Sequence, residues 1–239
     1  ECDWSSDVCS SDLGGWFMSR ITDYAFLFQK SFGTSGVNLI GSFQLSQLNS
    51  SSVQAQLKAA GINTNSKQYK SAVKQMMSAG NGAMYGNIQG IKNLMSHYDK
   101  DGDYINPVNG LSGLLVTDEN ESSRKKIISI PDSSKEEMYE LTKKEFLREN
   151  GVCNGDTTRR SDVYNNLYRK MQKKDRLAAG YTLEKYERIY RQAFYDAAKT
   201  ADPNWEIGKP IKEGALDNVT RESIEAKKSL AQSTVDTKI

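Results

Sequence analysis

The sequence contains few of the residues that most often carry catalysis, with one histidine, His97, and three cysteines among 239 residues. It holds no nucleophile elbow, glycine-rich phosphate loop, zinc-protease motif or kinase motif. No apolar run approaches the roughly 18 residues of a membrane-spanning helix, and a formal net charge of +2 is too small to indicate a nucleic-acid or membrane partner for the whole chain. Because an acid, a base and a nucleophile are hard to assemble from so few candidates, the sequence leaves catalysis open but favours a non-enzymatic protein.

Two of the three cysteines lie in residues 2–13, which read CDWSSDVCSSDL. This string resembles the conceptual translation of a sequencing-adapter oligonucleotide joined to a gene fragment, and we interpret residues 1–13 as such an artefact. Cys153 is then the one remaining thiol, so neither an intramolecular disulfide nor a cysteine-based zinc site is expected.

The rest of the chain divides by composition into three parts. Residues 14–52 are predicted to form a flexible leader, because positions 33–52 are rich in Ser, Gln, Asn and Gly. Its aromatic side chains Phe26, Phe28 and Phe32 are a candidate contact for a protein partner. Residues 53–210 are predicted to form one helical domain, and residues 211–239 a polar tail.

The apolar spacing within residues 53–210 predicts a mainly α-helical fold. Ser66 is expected to cap one helix, and a capping box at Ser133 or Ser134 another; Ser161 and Thr182 are further candidate caps. Asp202-Pro203 is expected to end the last long helix, with Trp205 packing back onto the domain. The short apolar runs 114–116 and 127–130 leave open a small two-stranded ribbon.

The most distinctive stretch is HYDKDGDYINPVNG, residues 97–110, where three aspartates alternate. Alternating carboxylates supply hard oxygen ligands at positions 1, 3 and 5 of a calcium-binding loop. Residues 99–109 resemble an EF-hand or dockerin-type loop shortened by one residue, with Tyr104 in place of the usual glycine and Ile105 at the aliphatic position. The predicted calcium ligands are Asp99, Asp101, Asp103, Asn106 and Asn109.

The same stretch also fits an ordinary turn after a helix, since exposed like charges about 4 Å apart cost only about 1 kcal/mol in water. The aspartates nevertheless follow the C-terminal end of a predicted helix, where the helix dipole disfavours negative charge. Because Asn109 replaces the bidentate acid at the end of the loop, we expect a calcium dissociation constant of about 10⁻⁴ M or weaker.

A second candidate site is the basic stretch from Arg159 to Arg191, in which tyrosines are interleaved. Basic residues combined with aromatic ones are typical of a nucleic-acid surface, and the alternative is two helices with tyrosines in the core and cations in solvent. The candidate nucleic-acid contacts are Arg159, Arg160, Arg169, Lys170, Lys173, Lys174 and Arg176.

The segments YDKDGDYINPVNG and NGDTTRRSD are similar to those of an uncharacterised bacterial, partly phage-associated family, a domain of unknown function. The resemblance implies a coherent domain over most of residues 60–206 and brings no activity or ligand with it. The sequence thus favours an interaction or structural protein with a weak calcium loop, the alternative being a nucleic-acid-associated protein. Without a visible secretion signal we expect a cytoplasmic protein, and an extracellular one stays open because a truncated gene can lose its signal.

Overall fold

The computed structural model of the chain describes residues 42–79, 85–118, 120–152 and 157–227. The chain divides into two compact units that meet in sequence between Thr117 and Asp118, and each is described by itself. The predicted adapter remnant at residues 1–13, the aromatic leader residues Phe26, Phe28 and Phe32, and Cys153 lie outside the described residues.

The N-terminal unit combines short helices with a two-stranded antiparallel sheet, in which Phe43 lies opposite Gly86. Its elements are β1 (Ser42–Gln44), a 3₁₀ turn (Leu45–Gln47), α1 (Ser51–Ala59), α2 (Lys67–Ala79), β2 (Tyr85–Asn87) and α3 (Ile88–Met95). The chain therefore has one small ribbon among its described residues, but the prediction of strands at 114–116 and 127–130 was wrong. Apolar runs of three or four residues do not specify a pairing partner.

Short polar side chains fix where these helices begin. Ser66 Oγ accepts a hydrogen bond from the Tyr69 N–H at 3.1 Å, which confirms the cap expected for α2. Asn87 Oδ1 accepts from the Gly90 N–H at 2.7 Å and caps α3 in the same way. The start of each helix is thus set by a residue directly before it.

Aliphatic side chains from all three helices form the core of this unit. Leu57, Met76, Ile91 and Leu94 are at most 1% exposed. Phe43, Leu45 and Leu48, which fall in the segment predicted to be leader, are buried in the same core. The packed part of the chain therefore includes residues before 53, because a Ser- and Gln-rich composition does not prevent a few apolar residues from being buried.

The C-terminal unit is helical throughout its regular structure in the described residues. Its elements are α4 (Asp132–Arg148), α5 (Thr157–Lys170), a 3₁₀ turn (Lys173–Asp175) and α6 (Arg176–Ala201), followed by α7, which is described over residues 221–227. The mainly α-helical class is thus confirmed. Among the described residues, no helix has both the length and the apolar character to cross a membrane.

Helix ends in this unit were predicted better than helix starts. α6 ends at Ala201, directly before Asp202-Pro203, as expected. The expected capping box at Ser133 or Ser134 is absent from α4, which Pro131 precedes without a side-chain cap.

The other two expected caps lie inside their helices. Ser161 Oγ donates to the Thr157 carbonyl, and Thr182 Oγ1 to the Ala178 carbonyl. Ser and Thr side chains satisfy either role locally, so their type alone does not place a start.

Large aromatic side chains dominate the core of the C-terminal unit. Tyr190 and Phe194 are fully buried on α6, and the Tyr139 ring of α4 meets the Tyr190 ring edge-on at 5.5 Å. Trp205 is 2% exposed and packs on Phe146 at 5.9 Å between ring centroids, as expected from the sequence. Helices α4 and α6 are therefore the central pair of this unit.

Candidate functional site

The three aspartates lie on one tight turn that follows α3. Asp99 Oδ1 accepts hydrogen bonds from the backbone N–H groups of Asp101 at 2.9 Å and Asp103 at 3.0 Å. The Asp99 N–H donates to the Asp103 carbonyl at 2.9 Å, which closes the turn from the other side. A side chain that accepts from the backbone two residues on is the usual way in which Asp stabilises a turn.

This turn packs against the first turn of α2. Gly102 has a φ of +86°, and a Cβ placed on it would lie 2.7 Å from Ser71 Oγ and 3.1 Å from the Lys67 carbonyl oxygen. Gln68 Nε2 donates to the carbonyl groups of Met95 and Tyr98 at 3.0 and 2.8 Å. The first turn of α2 thus supports this turn through the close approach of Gly102 and the hydrogen bonds of Gln68.

A second turn follows, and we refer to residues 98–113 as the acidic loop. Asn106 Oδ1 accepts from the Val108 N–H at 2.9 Å, and Asn109 Oδ1 accepts from the Leu111 N–H at 3.0 Å. Isolated bridges join Tyr98 to Tyr104 and Ile105 to Ser112. Both asparagines thus help to shape the backbone of the loop.

All five predicted calcium ligands therefore lie in the acidic loop, and three of them use a side-chain oxygen to accept backbone N–H groups. Within residues 42–79, 85–118, 120–152 and 157–227, no group of three or more His, Cys, Asp or Glu side chains is arranged to hold a metal ion. Calcium binding by Asp99, Asp101 and Asp103 stays a prediction. The hydrogen bonds among these residues form the turn.

The candidate nucleic-acid face is changed by the position of Arg160. This side chain is 3% exposed and contacts the carboxylates of Glu145 and Glu187, so its inclusion among surface contacts was wrong. Tyr164 and Tyr168 are buried as well and are not available to stack on bases. Helical spacing alone does not show that a cation at one position of a face is buried while the next is exposed.

The other cations of that face differ in their surroundings. Arg159, Arg169 and Lys174 are exposed, and Lys173 is half-buried. Lys170 Nζ lies 3.4 Å from Glu137 Oε1, and Arg176 Nε donates to the Tyr168 carbonyl at 3.1 Å. Nucleic-acid binding through these residues stays a prediction.

The residues around Arg160 form a buried charge cluster that the sequence reasoning missed; it consists of Glu145, Arg160, Glu187 and Arg191. Arg160 Nη2 donates to Glu145 Oε2 and lies 3.2 Å from Glu187 Oε1, while Arg191 Nη2 lies 3.0 Å from Glu187 Oε1 and 3.5 Å from Glu145 Oε2. Two carboxylates thus face two guanidinium groups. Only the spacing of Glu187 and Arg191, four residues apart on α6, was visible in the sequence.

Burial raises the pKa of the Glu145 carboxyl, with the guanidinium groups of Arg160 and Arg191 opposing the rise. The neighbouring carboxylates of Glu187 and Glu149 add to it. The cluster is therefore held by mutual contacts, while the dehydration of its charges counts against it.

The family model named "Domain of unknown function (DUF3879)" matches residues 62–239. The chain belongs to this family. The match includes the acidic loop, the basic face and the buried charge cluster, and its description carries no activity. A search of curated proteins and a search of solved structures both found no match.

The single histidine of this family member lies at the edge of the acidic loop. The His97 ring stacks on the Tyr104 ring with 6.5 Å between centroids and 26° between planes. Its carbonyl accepts from the Ile105 N–H at 2.8 Å. His97 thus contributes to the packing of the loop.

Proposed function

We propose that the protein acts by binding rather than by catalysis, and that the acidic loop is its calcium-responsive element. The observation that carries the proposal is the closed turn from Asp99 to Asp103, which presents three carboxylates within five residues. Such a turn brings hard oxygen ligands to one short segment, as a calcium site requires.

The surroundings of the buried acids Glu145 and Glu187 favour a non-enzymatic function. Glu145 and Glu187 are buried and face Arg160 and Arg191, so their carboxylates join α4, α5 and α6 through ion pairs. The ring of His97 packs on Tyr104. These groups serve the fold, and binding is the activity that remains best supported.

The electrostatics of the turn set the strength expected for calcium. Bringing two carboxylates to about 4 Å costs about 1 kcal/mol in water, so a bound cation would favour a convergent arrangement that repulsion alone mildly disfavours. With neutral Asn106 and Asn109 in the second half of the loop, the dissociation constant is about 10⁻⁴ M or weaker. A tenfold excess of free calcium over that constant would stabilise the protein by about 1.4 kcal/mol.

Calorimetry with calcium and thermal unfolding with and without calcium test this proposal. The wild-type chain should bind calcium and unfold at a higher temperature in its presence, and Asp101→Asn combined with Asp103→Asn should abolish both effects.

The matched control is Glu140→Gln combined with Glu213→Gln, which removes the same charge from two exposed positions in the C-terminal unit. It should titrate like the wild type. Flat titrations of the wild type would refute calcium binding, and equal binding by the loop variant would refute the acidic loop as its site.

A further inference from the structure

The last described residues of the C-terminal unit, 213–227, form a segment that contacts α4 and α6, and we refer to it as the C-terminal strap. Only two of its apolar side chains are buried, Leu216 at 2% exposure and Ile224 at 6%. The sequence predicted a polar tail over residues 211–239, and the strap is the described part of that tail. Besides these two side chains, the strap is attached through hydrogen bonds and ion pairs.

Arg221 connects the strap to the first turns of α4. Its Nε lies 2.7 Å from Glu136 Oε2, and its Nη1 lies 3.7 Å from Asp132 Oδ1. Within the strap, Arg221 Nη1 lies 3.3 Å from Glu225 Oε1, one helical turn further on. A fourth carboxylate, that of Glu222, has Oε1 3.1 Å from Arg221 Nη2, so one guanidinium group joins four carboxylates.

Glu225 and Val219 connect the strap to the buried tyrosine pair. The Tyr190 hydroxyl of α6 donates to Glu225 Oε1 at 2.9 Å, and the Tyr139 hydroxyl of α4 donates to the Val219 carbonyl. Lys135 Nζ lies 3.8 Å from Glu225 Oε2. The strap therefore contacts the polar ends of two aromatic residues that otherwise belong to the core.

The ion pairs of the strap are partly exposed to solvent. The side chains of Arg221 and Glu225 are 16% and 25% exposed, which leaves their ion pairs accessible to screening by salt. Electrostatic contacts of this kind weaken as ionic strength rises.

We propose that the C-terminal strap is a releasable element, which detaches from α4 and α6 as one unit while the helices beneath it stay folded. Ionic strength modulates the release, because the ion pairs of Arg221 and Glu225 hold the strap together with the buried side chains of Leu216 and Ile224. Detachment uncovers the hydroxyl groups of Tyr139 and Tyr190. This device is independent of calcium and of the acidic loop.

Hydrogen exchange of the full chain at about 0.01 M and about 1 M ionic strength tests the proposal. Amides of residues 213–227 should exchange about tenfold faster at the higher ionic strength, which corresponds to about 1.4 kcal/mol. Amides in the middle of α4 and α6 should not change. Equal exchange of the strap and of these helices at both ionic strengths would overturn the proposal.

Arg221→Gln should reproduce the fast exchange of the strap at low ionic strength and reduce its dependence on salt, because only the pair of Lys135 with Glu225 remains. Glu225→Gln gives the same test at the other end of the pair. The control is Arg188→Gln, which breaks a pair on α6 in which Arg188 Nη2 lies 2.6 Å from Glu184 Oε1, and it should leave the strap unchanged. Unchanged exchange in both strap variants would show that these ion pairs do not hold the strap. Failure of both variants to fold would show that the strap is an inseparable part of the unit, and either result overturns the proposal.

Discussion

In the N-terminal unit, the side-chain oxygens of Asp99, Asn106 and Asn109 accept hydrogen bonds from backbone groups two to four residues away. In the C-terminal unit, the Glu145 carboxylate contacts guanidinium groups 15 and 46 residues away. The polar side chains of the acidic loop thus shape turns locally, whereas those of the buried charge cluster join separate helices. Local contacts need only the right neighbours in sequence, whereas the second kind exists only once the helices have packed.

Removing Arg160 is the most severe way to test the second half of this comparison. Arg160→Met leaves two buried carboxylates with less compensating charge and should lower the free energy of unfolding of the C-terminal unit by about 3–5 kcal/mol. Urea unfolding followed by Trp205 fluorescence, with Trp4 and Trp16 replaced by Phe, measures it. Arg159→Met is the matched control, since Arg159 is exposed, and it should change stability by about 0.5 kcal/mol or less.

Hydrogen exchange of Arg160→Met tests the prediction that residues 53–210 form a single domain. If the two units unfold together, amides of α2 should lose protection in Arg160→Met to the same extent as amides of α6. If they unfold separately, α2 should keep its protection. Equal stabilities of Arg160→Met and Arg159→Met would mean that the buried cluster contributes no more than a surface charge.

Gly102 provides the corresponding test in the N-terminal unit. Gly102→Ala requires a left-handed backbone and places a Cβ against Ser71 Oγ and the Lys67 carbonyl, so it should cost about 2 kcal/mol. Gly110→Ala, at a φ of +71° with no atom within 4 Å of the added Cβ, should cost about 1 kcal/mol.

Adding Ser71→Ala to Gly102→Ala should recover part of the stability that Gly102→Ala loses, because one of the two close contacts is removed. Hydrogen exchange in α2 reports on this unit directly. Similar costs for the two glycine variants would contradict a close approach between the acidic loop and α2.

The comparison also explains what could be predicted from the sequence. The cap at Ser66 and the end of α6 before Pro203 follow from the chemistry of adjacent residues, and both predictions are confirmed. The pairing of Phe43 with Gly86 and the burial of Arg160 depend on distant residues that a pattern does not specify.

The acidic loop lies between these cases. Its turn follows from the spacing of Asp99, Asp101 and Asp103, whereas its contact with α2 through Gly102 does not. Alternating acids indicate a turn and a metal site equally well, because both functions use the same oxygens. A ligand set is therefore the part of the site that the sequence alone could not decide.

A smaller effect concerns pH and the charge of Glu145. Because burial raises the folded-state pKa of this carboxyl, the group stabilises the fold most below its unfolded pKa of about 4.3 and loses that contribution as pH rises through the folded value. The stability of the wild type relative to Glu145→Gln should therefore fall as pH rises above about 4.3. Urea unfolding of both chains across this range measures the trend, and a relative stability that rises with pH would contradict it.

The smallest effect is expected at the exposed cations of α5 and the following turn, where the alternative of nucleic-acid binding can be tested. If Arg159, Arg169 and Lys174 bind phosphates, replacing all three with Gln should remove a low-salt gel shift and reduce the dependence of log K on log salt by about 0.9 for each phosphate that is no longer neutralised. Arg160 is buried, so the test does not depend on the buried charge cluster. The absence of any shift with the wild type at low salt would refute nucleic-acid binding by this face. The exposed cations would then form an ordinary solvent-exposed helix surface.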